Sequence, residues 1–197
     1  MTIRLPLTKL SQWQQVAFCA ALLERMLPNY QMFSDAEEFG DFAVPRNQLD
    51  LLWQWLDKNH KGKVNFSAQL NKLEEQTPNP ELFDSFGVFP ALDVCMALMS
   101  LMQAIQDKDE SGMSNVGRLS ENSVSFYVEL MLVQQLSDQE EEISVAEIND
   151  HPLMQWENDT QHELFDFLEG AAENKQTCLK VKALALEEGL TNLGIEI

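Results

Sequence analysis

Apolar residues recur three and four positions apart along almost the whole chain, and nowhere does a two-residue alternation run between hairpin turns. The sequence therefore holds helices and offers nothing from which to build a sheet. The expected fold class is all-α: a compact multi-helix bundle with two central apolar helices, forming a single helical domain over residues 1–197.

The first central helix is expected from Ser11 to Leu27, ended by Pro28. Trp13, Val16, Ala17, Ala20 and Leu27 make one stripe and Phe18, Leu22 and Met26 a second, and apolar faces on both sides imply a buried helix. The other central helix is expected from Pro90 to Gln106, with an unbroken apolar run from Val94 to Met99. A short helical stretch from Tyr30 to Phe39 precedes a break at Gly40. Pro45 then opens a helix carrying Leu49, Leu52, Trp53 and Leu56 on one face. Asn65 caps the next, with Phe66, Leu70 and Leu73 inward, and Asn79 with Pro80 starts a further turn. A helix ending near Leu136 carries Val124, Phe126, Tyr127, Leu130, Met131 and Val133. Another, from Pro152, turns Leu153, Trp156, Leu164, Phe167, Leu168 and Ala171 inward. Asn174 caps the last, which buries Cys178, Val181, Leu184 and Ala185 and stops at Gly189.

Charge narrows the partners. Thirteen basic against 32 acidic residues give a net charge of −19, a field that repels phosphate backbones and anionic lipid surfaces. Neither nucleic acid nor membrane is expected as a partner; an unknown protein, basic in character, or a second copy of the chain is. Cys19, Cys95 and Cys178 are odd in number and far apart, which suits buried thiols rather than a disulfide framework or a zinc knuckle. The first six residues lack the apolar core of a signal peptide. The longest apolar run, Val16 to Leu23, is far short of the roughly 20 residues of a spanning helix. A cytoplasmic location is expected.

Two segments imitate calcium loops. Asp57, Asn59, Gly62 and Val64 fit one, and Asp107, Asp109, Ser111 and Gly112 fit another. Both fail where a bidentate carboxylate is required, at Ala68 and Arg118.

Acidic residues inside apolar helices are the other chemical signal. Glu24, Asp93 and Glu129, with His162, are the candidate metal ligands. Asp93, Ser100 and Gln103 form one polar stripe and Asn122, Ser125 and Glu129 a second, and two such stripes facing each other resemble the inward carboxylates of a metal-binding bundle. The weightier reading is structural: buried carboxylates are usually paired, here Glu24 or Asp93 with Arg25 or Arg118, or else open to water. Of the Asp-x-x-His pairs, Asp57 with His60 and Asp159 with His162 only approximate the Glu-x-x-His of such sites. His151 and His162 lie too far apart on one helix to share a metal. Phosphate-binding loops, nucleophile elbows and zincin motifs are missing, so no cofactor is expected. Met96, Met99, Met131, Trp53 and Trp156 fall on core stripes, and the acidic run Asp138 to Glu142 reads as a solvated loop or a helix start, where negative charge suits the helix dipole.

The strings Glu24-Arg25-Met26-x-Pro28-Asn29-Tyr30, Phe39-Gly40-Asp41, Lys63-Val64-Asn65-Phe66, Gly87-Val88-x-Pro90-Ala91-Leu92-Asp93 and Asn192-x-Gly194-Ile195 resemble the YjaG-like bacterial family in order and spacing. That resemblance implies a compact helical domain in a bacterial cytoplasm. It implies no activity, the family being one of unknown function, and it carries over no catalytic residues. The expected role is a non-enzymatic helical interaction protein with an acidic surface. The alternative is a metal-binding or enzymatic bundle that uses its inward carboxylates.

Overall fold

The structure, a computed structural model, describes residues 5–57, 62–109, 112–135 and 142–197. Its first long helix, α1 (Gln12–Glu37), starts at a reciprocal cap: Gln14 N–H donates to Ser11 Oγ at 3.2 Å, and Ser11 N–H donates to Gln14 Oε1 at 2.9 Å. Pro28 does not end it. A proline in a helix interior removes one ladder bond and costs about 3 kcal/mol, but Leu27, Asn29, Tyr30 and Phe33 around it are all buried, and that packing carries the helix through. Near the gap in the ladder, the Arg25 carbonyl accepts the N–H of Asn192 at 3.2 Å, which ties the carboxyl-terminal segment to this point. The stretch expected as a separate helix after the proline is thus the last part of α1. At Gly40, φ is +72°, and a Cβ there would run into the Tyr30 hydroxyl, so the break must be a glycine.

There follow α2 (Ala43–Leu56), α3 (Phe66–Glu74), a 3-10 turn (Pro80–Leu82) and α4 (Val88–Asp107). Next come α5 (Ser114–Gln135), α6 (Val145–Asp150), α7 (Pro152–Glu169) and α8 (Lys175–Ala185). Asn65, Asn79 and Asn174 cap their elements through side-chain oxygens, as expected. The fold is all-α, with α1 and α4 packed against each other at its centre. Val16 to Leu23 are fully buried, as are Val94, Cys95, Ala97, Leu98 and Leu101 of α4. By length and composition α4 would suit a membrane, yet most of its apolar span is covered by neighbouring helices. Phe89 touching Phe126 and Asp93 touching Ser123 set α4 and α5 antiparallel.

Three sequence expectations shift. Helix α7 is rotated relative to its expected face: Met154, Glu157, Gln161, Leu164 and Leu168 are buried, whereas Trp156 and Phe167 are only partly so. The short α6, opened by a Ser144–Glu147 capping box, is a separate helix that the sequence marks only as a helix start at the acidic run before it. It lies over a smaller apolar cluster of Val124, Val128, Ile148, Met154 and Leu193. Of the methionines and tryptophans assigned to core stripes, Met96 is instead 43% exposed, and Met99, Met131, Trp53 and Trp156 are half-buried.

Candidate functional site

The four candidate residues are divided among three places. Glu24, buried on α1, is chelated by Arg46 of α2 at 2.8 and 2.9 Å and receives Lys182 of α8 at 2.8 Å. Trp53 Nε1 donates to the same carboxylate at 2.7 Å. Burial alone raises the pKa of Glu24, but its cationic partners outweigh it and hold the carboxyl below its usual value. Neither Arg25 nor Arg118, the expected partners, is its counter-ion. Three helices are clamped together here, and every oxygen of the carboxylate is engaged.

Asp93 and Glu129 do come together. With Asn122 and Ser125 they line a hollow of about 320 Å³ between α4 and α5, flanked by Phe89 and Phe126. The stripe of Asn122, Ser125 and Glu129 therefore meets the other at Asp93 alone, while Ser100 and Gln103 border a separate hollow further along α4. Ser123 Oγ donates to Asp93 at 2.6 Å. Burial pushes the Asp93 carboxyl up to about 6, against the opposing pull of that hydrogen bond. Phe89 and Phe126 meet edge to face, their centroids 4.8 Å apart, and both stay about two-fifths exposed. Met96 and Val133, seven residues beyond each on its own helix, prolong this apolar face in opposite directions and are exposed as well.

His162 stands elsewhere, on α7, with Nδ1 2.7 Å from the Asn158 carbonyl. Its neighbourhood contains the polar network that sequence reasoning missed. Arg25, 1% exposed, donates through Nη1 to Glu157 Oε2 at 2.6 Å and stacks over Trp156 at 4.4 Å. The other oxygen of Glu157 accepts Ser120 Oγ at 2.6 Å and Gln161 Nε2 at 2.9 Å. Asn192 adds bonds to Ser120 and Asn29. One signal pointed here: a cation amid the apolar residues of α1 demands a buried anion, and Glu157 falls on the same helical stripe as Leu164 and Leu168.

Glu121, half-buried beside this network, has its carboxyl raised to about 7 by burial first and by the Glu157 charge second, with His162 pulling the other way. A carboxyl whose folded value exceeds its ordinary 4.5 opposes folding once ionised, so the penalty is full above pH 7 and absent well below 4.5. Glu121→Gln should raise stability by about 1 kcal/mol at pH 8, a figure reduced for the solvent screening of a half-buried side chain. The gain should fade on acidification, which thermal unfolding at pH 8, 6 and 4 will measure.

The remaining motifs gather little. Among the described residues, no group of three or more His, Cys, Asp or Glu side chains is placed to hold a metal. His60, Asn59, Ser111 and most of the run from Asp138 to Glu142 lie outside the described residues. In the second calcium-like segment, Asp107 closes α4 and accepts Gln103 Nε2 at 2.7 Å. The three cysteines are buried free thiols, and burial pushes Cys95 to about 12 and Cys178 to about 11.

A family described as protein of unknown function, DUF416, matches residues 2–196. The uncharacterized protein YjaG of Escherichia coli strain K12 is 36% identical over 194 residues, covering 98% of this chain and 95% of that protein. An uncharacterized protein of Haemophilus influenzae is 32% identical, covering 96% and 94%. A crystal structure of a DUF416 family protein from Shewanella baltica superposes with a TM-score of 0.82 at 35% identity and covers 95% of both chains.

Proposed function

The chain belongs to the DUF416 family of proteins of unknown function, and from that premise we propose that it is a non-enzymatic interaction protein of the bacterial cytoplasm. Its partner is a basic, amphipathic segment of another protein, held in the groove between α4 and α5. One observation carries this reading: an exposed aromatic pair, Phe89 and Phe126, borders the hollow that Asp93 and Glu129 share. A lysine or arginine can stack on such rings and pair with such carboxylates, and the face that runs on through Met96 and Val133 suits apolar side chains of the same segment. The net charge of −19 speeds the approach of a basic partner and opposes pairing of two copies through this face. Glu24 is held by its cations and His162 stands on another helix, so the four candidate ligands do not converge on a common centre.

The test is a fluorescently labelled amphipathic helix of arginine, leucine and alanine, titrated with the full chain at low and high salt. Joint replacement of Phe89 and Phe126 by alanine should weaken binding by tenfold or more, since central aromatic contacts are worth about 2 kcal/mol. Affinity should also fall as the pH drops through about 6, where Asp93 takes up a proton. Binding that survives the double replacement unchanged, or self-association that buries the face, would refute the proposal.

A further inference from the structure

A second place in the molecule carries chemistry that the α4/α5 groove does not use. A cavity of about 450 Å³ lies on α5, bounded by the segment that leads into α1 and by Gln161 of α7. Leu5, Leu7 and the fully buried Phe18 make its apolar side. Its polar side is set by Arg118 and Glu121, neighbours on one helix face by their three-residue spacing. Such a pair ordinarily closes on itself, but here it stays open. Arg118 Nη2 donates to Asn115 Oδ1 at 3.0 Å, and Glu121 makes neither a hydrogen bond nor an ion pair with the described residues.

Gln161, only 4% exposed, sets the third polar group. Its Nε2 donates to Glu157 Oε1 at 2.9 Å and to the Gly117 carbonyl at 3.1 Å. Both partners are acceptors, which fixes the amide: the nitrogen must face them, and Oε1 is the atom left over. That oxygen accepts no hydrogen bond from the described residues. A Cβ on Gly117 would stand 2.8 Å from it, so the amide lies close against α5 and would have to shift for any larger residue there.

We propose that this cavity binds a free α-amino acid with an apolar side chain, its ammonium on the Glu121 carboxylate and Gln161 Oε1, its carboxylate on Arg118, and its side chain against Phe18, Leu5 and Leu7. The two charges of the wall decide the class. A simple cation would leave Arg118 facing like charge, and a simple anion would meet Glu121 and the field of a chain at −19. A zwitterion answers both groups and is neutral to that field. The volume lies within the ordinary range for small-ligand sites. The groups facing Glu121 fit the same picture: with Glu157 and His162 from α7 and Arg118 on its own helix it has no bonded cation, and burial first and the Glu157 charge second raise its carboxyl against the pull of His162.

The experiment is calorimetric titration of the full chain at pH 8 with L-leucine and L-phenylalanine, then with leucine methyl ester, which lacks the carboxylate, and N-acetyl-leucine, which lacks the ammonium. Saturable one-to-one binding of a free amino acid is expected, with the ester and the acetyl derivative each weaker by tenfold or more. Glu121→Gln and Arg118→Ala should each bring a similar loss in a protein that still unfolds cooperatively. Joint replacement of Phe89 and Phe126 by alanine should change nothing, which separates this site from the groove. No saturable heat up to about 10 mM of either amino acid, an ester that binds as well as leucine, or binding indifferent to both charge substitutions overturns the proposal.

Discussion

Replacing Glu157 with alanine should lower the free energy of unfolding by about 3–5 kcal/mol, the usual cost of stripping one partner from a buried ion pair. The carboxylate is fully buried and serves three donors at once, Arg25, Ser120 and Gln161, drawn from α1, α5 and α7. Without it the guanidinium of Arg25 keeps its stack on Trp156 but loses its only anion among the described residues. Glu157→Gln should cost less, since an amide oxygen still accepts from Ser120 while the charge on Arg25 stays unbalanced. Urea denaturation of the two variants provides the measurement. Equal losses would mean that the charge opposite Arg25, rather than the shape and remaining hydrogen bonds of the side chain, makes this network stable.

Leu98→Ala should cost about 3 kcal/mol, and Met96→Ala, two positions earlier on the same helix, less than about 0.5 kcal/mol. Leu98 is fully buried against the central helices and would leave a cavity there, whereas Met96 faces outward and would leave none. The same pair separates packing from the proposed recognition. Met96→Ala should weaken the basic helix without moving the urea midpoint, and Leu98→Ala should do the reverse.

The helices were legible because their determinants are local. Ser11, Asn65, Asn79 and Asn174 each cap through a contact two or three residues away, and spacing alone marks α1 and α4 as apolar on nearly every side. Pro28 misled because its local penalty is smaller than the burial of the residues on both sides of it, and no window of sequence contains that sum. The face of α7 misled for a related reason. The expected inward face, Leu153, Trp156, Leu164, Phe167, Leu168 and Ala171, holds no polar residue, yet Arg25, more than a hundred residues away, requires an anion in the core, and Glu157 supplies it.

The candidate site was legible in part. The sequence placed Asp93 and Glu129 on facing stripes, and they do share a hollow. By itself it determined an all-α bundle, its two central helices, its buried thiols and its strongly negative charge, all of which follow from composition and from periodicities within single elements. Only the tertiary structure decided that Glu24 is paired by Arg46 and Lys182, that Arg25 and Glu157 lie at the junction of three helices, and that Phe89 and Phe126 stay uncovered. Charge pairing and exposure depend on which helix comes to lie beside which, and that arrangement is fixed by the packing of the whole core rather than by any segment of it.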